Sequence, residues 1–380
     1  VGIYNDEFNL PFPVFSKGGN LDLNRVEILK GPQGTLYGRN TTGGLVNYIA
    51  NKPTESFEAG GNLSYSRFDV IDGEGHVSGP LTDSLRARLA YRGTFSNEGW
   101  QYSNTRPDDT LGKQRKQSGR AILEWRPLDS ITTTLTLSGW TDHSQPQAPQ
   151  AIAIQPQNAL AGSLALAPEV SEYPLVPFDS QDNRVADWAP GQDYHLAEKF
   201  GMAGLRTDWH VSDSNTLSLL AAYENFDINH SFLPQTGLNS LNTDREMVDH
   251  TNADEVELRL SGDPSDSFHY LAGLYYSHDR VDDFNRIYID SNSAVYPLPL
   301  AGPVFNAIQP LLDILGITGP LPTVGDLLTN RVDASGTQVA DTEAAFLNGD
   351  WRFAPEWKAT LGVRYTQEKR TFRGCTGDDP

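Results

Sequence analysis

From Ser56 onward, apolar and polar residues alternate in short segments, the period of a β-strand with two unlike faces. In the first clear case, Leu85, Ala87, Leu89, Tyr91 and Phe95 fall on one side, and Arg86, Arg88, Arg92 and Thr94 on the other. Ile131, Leu135 and Leu137 oppose Thr132, Thr134, Thr136 and Ser138 in the same way. Val256, Leu258 and Leu260 alternate with Glu255, Glu257 and Arg259, and Trp357, Leu361, Val363 and Tyr365 oppose Lys358, Thr360 and Arg364. The pattern yields about eleven segments, each near the ~9–11 residues that a tilted strand needs to cross a bilayer. No run approaches the ~18 apolar residues of a membrane-spanning helix.

The connections sharpen this into an architecture. Short turns rich in Pro, Asp, Ser and Asn occupy 80–84, 127–130, 212–215, 263–267 and 353–357. They alternate with long stretches at about 97–113, 144–197, 231–250 and 282–340. Short turns at one end and long loops at the other describe an outer-membrane barrel, whereas a soluble sandwich has no reason to segregate them. The mid-strand charges Arg86, Arg88, Arg92, Glu124, Arg206, Asp208, Glu224, Glu257 and Arg259 belong in a plugged or wet lumen, because a closed apolar core penalises each unpaired ion. Trp100, Trp125, Trp140, Trp209, Trp351 and Trp357 lie near strand ends and are expected to form interfacial girdles.

Composition excludes several functions. With 29 basic against 49 acidic residues and a net charge of -20, the chain lacks the cationic surface that nucleic acid requires. A single cysteine, Cys375, cannot close a disulfide within these residues. There is no H-E-x-x-H or close histidine pair, no nucleophile elbow and no convergent catalytic set, so neither an enzyme nor a resident metal or cofactor is expected. His143, His230 and His278 lie near outer strand ends, and Asp279, Asp282 and Asp283 form an acidic run without calcium-loop spacing, which reads as a solvated face.

One stretch is not barrel-like: RVEILKGPQGTLYGRNTTGG, Arg25 to Gly44. It lacks both the G-x-x-x-x-G-K-[ST] of a phosphate loop and G-x-G-x-x-G. Its glycines read as punctuation, with a strand at Arg25–Leu29, a compact turn at Gln33–Gly38 and a second strand from Gly44.

Residues 1–54, with the pattern RVE-L-GPQGTLYGRNTTGG-NYI--KPT, resemble the C-terminal part of the plug domain of TonB-dependent outer-membrane receptors, and residues 55–380 resemble the N-terminal half of their barrel. The resemblance implies an all-β antiparallel transmembrane barrel, 22-stranded in the full protein with about eleven strands here, around an α+β plug. It implies a Gram-negative outer-membrane location and active uptake of a scarce nutrient, a ferric siderophore or other iron complex first. Cobalamin, haem or an oligosaccharide are the alternatives, and a passive porin or an adhesin is the alternative of another class. The implied partners are TonB of the inner membrane, outer-membrane lipid and lipopolysaccharide, and the nutrient. Arg25, Glu27, Lys30, Gly31, Pro32, Gly34, Tyr37, Gly38, Arg39, Gly43 and Gly44 carry the plug signature, with structural and gating roles. The family has arginine where Lys30 stands, so a point charge replaces a bidentate fork that pairs with carboxylates of the wall. The resemblance further implies that sequence precedes Val1 and follows Pro380, and that Cys375 opens an external loop.

Overall fold

The computed structural model describes residues 1–38, 40–104, 106–150, 182–189, 191–234, 243–289 and 331–379. Its first element is a small mixed sheet, with strands β1 (Gly2–Asn5), β2 (Phe8–Asn9), β3 (Leu23–Lys30) and β4 (Gly44–Ala50) in the order β2-β1-β4-β3. Only β1 and β4 run parallel. A 3-10 turn, Pro13–Gly18, and one helical turn α1, Gly34–Tyr37, fill the connections.

The rest is an eleven-stranded antiparallel sheet, as the alternation predicts. It comprises β5 (Glu58–Ser66), β6 (Val70–Pro80), β7 (Leu85–Ser96), β10 (Arg115–Leu128), β11 (Ile131–Asp142), β13 (Glu198–Ser212), β14 (Asn215–Pro234), β15 (Thr243–Ser265), β16 (Phe268–Ile289), β17 (Arg331–Ala354) and β18 (Trp357–Asp379). Neighbours in the sheet are neighbours in sequence among these strands, so each pair closes over a local connection. The short connections fall at one end, the periplasmic end of such a wall. Three short strands, β8 (Gln101–Ser103), β9 (Thr110–Leu111) and β12 (Val185–Ala186), pair beyond the other end in the order β12-β8-β9. They belong to a cap with its own core of Leu111, Ala148, Ala186, Trp188 and Tyr194.

The register sets the two faces. Leu89, Leu137, Leu205, Leu258, Leu274 and Val363 are exposed on the outside, the face that hydrocarbon covers in a membrane. Arg88, Arg120, Glu124, Glu224 and Thr342 are buried on the inside. Trp125, Trp209, Trp351 and Trp357 stand exposed beside the short turns and form the expected aromatic belt. Trp140 and Trp100 do not. Trp140 lies on the inner face and is buried against the small sheet's apex, because its even position in β11 matches Thr136 and Ser138 rather than Leu135 and Leu137.

Two loop boundaries are corrected. The stretch 231–250 is largely strand, with β14 reaching Pro234 and β15 starting at Thr243, and β16 and β17 take up 282–289 and 331–340. Above the bilayer both faces of a strand are wet, so the hydropathy alternation fades at Asp244, Arg245 and Glu246 while backbone pairing continues. Cys375 likewise lies within β18, exposed and opposite Ser335, rather than in a loop. Asp279 faces the lumen and Asp282 the outside, where it pairs with Arg280 at 2.7 Å, so the acidic run cannot converge on one ion. The apolar stretches 159–168 and 298–328 lie outside the described residues.

Candidate functional site

The inner face of the wall and the small sheet share one apolar core. Phe8, Leu10 and Phe15 insert among Trp140, Phe200, Met202, Leu220, Ala222, Phe226 and Ile228. The Phe15 ring lies 4.9 Å from that of Phe200 and 5.7 Å from that of Phe226, and Trp140 Nε1 donates to the Phe15 carbonyl at 2.9 Å. Small wall residues make the approach possible. A Cβ added at Gly204 would lie 2.7 Å from the Phe8 ring, and one at Gly362 would lie 2.6 Å from Thr35 of α1.

Polar contacts also tie the same unit to the wall, those of Asp22 and Glu7 nearer the short-turn end and that of Lys17 at the loop end. Arg88 grips Asp22 with two parallel bonds, Nε at 2.6 Å and Nη2 at 2.7 Å, and Asn51 Nδ2 donates to the same carboxylate at 2.9 Å. Glu7 sits between two guanidiniums, 2.9 Å from Arg206 and in contact with Arg259. Burial alone would raise both carboxyls, but their arginine partners outweigh it and hold Asp22 and Glu7 below the ordinary carboxylate range. Arg120 Nη1 donates to the Leu21 carbonyl at 2.5 Å, and Lys17 pairs with Glu198. Of these contacts, the sequence places only the wall side, Arg88, Arg206 and Arg259, by pointing those side chains into the lumen. Glu7 and Asp22 lie before the recognisable motif, in turns where acidic residues are common, and only their positive φ angles of 72° and 46° set them apart.

The motif residues lie at the other edge of the small sheet. Arg25 and Glu27 pair with each other at 2.7 Å on exposed β3. Lys30 is exposed and opposite Gly44 in register, and among the described residues it has no ion pair. Gly31, Gly38 and Gly44 adopt φ of 84°, 76° and 126°, conformations open to glycine, whereas Gly34 and Gly43 do not. At Gly38 the guanidinium of Arg364 in β18 would lie 2.9 Å from an added Cβ. Pro32 is exposed, and Tyr37 accepts the Tyr4 hydroxyl on its carbonyl at 2.6 Å, with the rings edge to face at 5.0 Å. Arg39 lies outside the described residues.

Above the apex formed by Lys17 and Gly18 opens a cavity of about 790 Å³, bounded by the wall and the cap. Trp100 and Trp140 supply indole surfaces, Gln114, Gln117, Gln145 and Gln147 supply amides, and Lys113 and Lys116 supply charge. Its size and mixed lining suit a compact organic ligand with many hydrogen-bonding groups. His143, His230 and His278 do not converge there. His230 pairs with Glu246 at 2.6 Å and His278 with Asp341 at 2.7 Å, and among the described residues no group of three or more His, Cys, Asp or Glu could hold a metal.

An apolar-outside wall, filled on its inside by a small mixed sheet that leaves a cavity at the loop end, defines a plugged outer-membrane barrel. A sequence profile for the β-barrel of TonB-dependent receptor-like proteins matches residues 136–378, and the chain belongs to that family. The pesticin receptors of Yersinia enterocolitica and Yersinia pestis are 30% identical over 108 residues, 28% of this chain and 16% of their own length. Among solved structures, the ferric yersiniabactin uptake receptor FyuA of Yersinia pestis superposes with a TM-score of 0.70 at 18% identity, covering 99% of this chain and 49% of that one. The ferripyoverdine receptor of Pseudomonas aeruginosa superposes at 0.61 with 14% identity, covering 100% of this chain and 46% of that one. The chain thus spans about half the length of the solved receptors it matches. Its location is the Gram-negative outer membrane.

Proposed function

We propose that the chain serves TonB-dependent uptake of a ferric siderophore or other iron complex, with residues 1–54 acting as plug and 55–380 as barrel wall. The observation that carries this reading is the cavity walled jointly by the plug apex and the inner barrel face, at the loop end. A ligand seated there touches the piece that must move, so binding and transport share one site. The structures named for ferric yersiniabactin and ferripyoverdine receptors support an iron complex over cobalamin, haem or an oligosaccharide. TonB would supply the pull on the plug, and the receptor performs no chemistry on its cargo. A porin or adhesin has no use for a plug held by this many bonds.

The test is uptake of radiolabelled iron chelates, cobalamin, haem and oligosaccharides by a strain deleted for the gene, with and without complementation. Loss confined to one or more iron chelates supports the proposal. Unchanged iron uptake with loss of another cargo moves it to that cargo, and no change at all refutes it. In the same reading the turns from Arg25 to Gly44 shape the gate, and Lys30, exposed and without an ion pair among the described residues, stands where the family's arginine would latch it to the wall. Lys30→Arg with unchanged uptake and plug release would discard a latch at that position.

A further inference from the structure

Against the plug segment Asn9–Pro11 the wall carries a second, far smaller cavity of about 10 Å³, lined by Glu224 of β14, Glu255 of β15, and Tyr275, Ser277 and Asp279 of β16. That is room for one particle the size of a water molecule. The register creates the space. Glu224 and Asp279 flank Ala253 in one row, and Glu255 lies between Ala222 and Ser277 in the next, so two alanines leave the gap.

Its polar groups are unequally served. Glu255 accepts the Asn9 N–H at 2.9 Å and the Tyr275 hydroxyl at 3.2 Å. Glu224 and Ser277 are each 2% exposed, and neither the two Glu224 oxygens nor Ser277 Oγ has a hydrogen-bond partner among the described residues. The other lumen-facing carboxyl groups in the chamber, Glu255 and Asp279, sit on the neighbouring strands β15 and β16, and among the described residues no basic side chain lines it. Glu124, Asp208 and Glu257, on the same inner face, each have an arginine within 3 Å. Glu224 is buried with neither an arginine nor a hydrogen-bond partner among the described residues, which an ionised carboxylate does not tolerate unless something neutralises it.

We propose that this chamber binds one dehydrated hard cation of low charge, Na⁺ in type, with Glu224 and Ser277 as ligands and Asn9–Pro11 as its cover. Carboxylate and hydroxyl oxygens select hard cations. Although Glu224, Glu255 and Asp279 all line the chamber, Glu255 is already engaged by Asn9 and Tyr275, and the free oxygens of Glu224 and Ser277 fall short of the six to eight that a Ca²⁺ cage takes. The bound ion would lock the plug segment to β14–β16, because Asn9 donates to a carboxylate that lines the chamber. This is independent of which cargo the receptor carries.

The test is hydrogen exchange at the Asn9 amide in the detergent-solubilised receptor, in NaCl against N-methylglucamine chloride of equal ionic strength. With Na⁺ about tenfold above its Kd, exchange should slow about tenfold, while barrel amides such as Leu137 stay unchanged. Glu224→Gln should abolish the difference, and Ser277→Ala should raise the Na⁺ concentration required. Exchange indifferent to the cation, or a Na⁺ effect that survives in Glu224→Gln, overturns the proposal. Protection by Ca²⁺ but not Na⁺ overturns the assignment of low charge.

Discussion

Replacing Asp22 with Asn tests how the plug is held. The substitution keeps the shape but removes the charge that Arg88 grips with two bonds of 2.6 and 2.7 Å. Asp22 and Arg88 are only 7% and 4% exposed, so the loss is that of a buried pair broken on one side, about 3–5 kcal/mol. Glu58, 3.4 Å from Arg88, offers the stranded guanidinium a second partner, which places the expected cost near the lower bound of about 3 kcal/mol. With a urea slope of about 1 kcal/mol/M for a unit the size of this plug, the midpoint for plug release should fall by about 3 M. The assay is a fluorophore on the exposed face of β3, read during urea titration while strand circular dichroism follows the barrel. Asp22→Asn combined with Arg88→Met should recover part of the loss, since no charge is then stranded. A single-mutant cost below about 1 kcal/mol, or a double mutant no better than the single, would refute the reasoning.

Acidification should weaken the same hold. Asp22 and Glu7 have folded-state values below their unfolded ones, so their contribution is complete above about pH 4 and disappears as pH falls through the depressed values. The urea midpoint should be flat from pH 7 to 5 and drop below about pH 4, and a midpoint that rises on acidification contradicts this. Phe15→Ala should cost the plug about 3–5 kcal/mol in the same titration and leave barrel circular dichroism unchanged. Gly204→Val should displace Phe8 and destabilise the plug by about 1–3 kcal/mol, measured likewise, whereas Gly201→Val, with nothing within 4 Å of an added Cβ, should be silent. Trp100→Ala and Lys113→Ala should weaken cargo binding with plug release unchanged, as read by equilibrium binding to whole cells.

The wall was legible because a membrane enforces its grammar. A strand such as Leu85–Ser96 must show hydrocarbon one face and the lumen the other, so Leu89 and Arg88 announce their directions in sequence. The short turns were legible for a similar reason, since Thr82-Asp83-Ser84 between β6 and β7 has no other use. Where the membrane stops, the grammar stops, and the upper ends of β15 to β18 read as loop although they pair to their ends. The plug contacts were illegible for another reason. Asp22 meets Arg88 across 66 residues and Glu7 meets Arg259 across 252, and no local pattern encodes such partners. Trp140 is intermediate: its parity in β11 already placed it inside, but proximity to a strand end suggested the girdle.

The order of the plug's bonds along the barrel axis carries a mechanical consequence. Arg88 lies near the short-turn end of β7, and Arg206 and Arg259 lie in the corresponding halves of β13 and β15. Phe15, by contrast, is held by Trp140 and Phe200 near the loop ends of β11 and β13, just below the cavity. A pull from the periplasmic end would therefore load the Asp22 and Glu7 ion pairs first and the aromatic seat, with the Lys17–Glu198 pair beside it, last. An ion pair weakens once water enters and screens it, and each can yield singly, whereas the aromatic seat must lose several ring contacts together. The plug should open from below in steps while the floor of the cavity stays intact. Under the proposed uptake function, cargo would then be released only when the last, apolar step is reached, which would tie completion of the pull to the proposed cargo site. Force spectroscopy on the plug resolves this order: Asp22→Asn should remove an early, low-force event, and Phe15→Ala should lower the final one. A trace in which Phe15→Ala alters only the first event would show that the plug unlocks from the top instead.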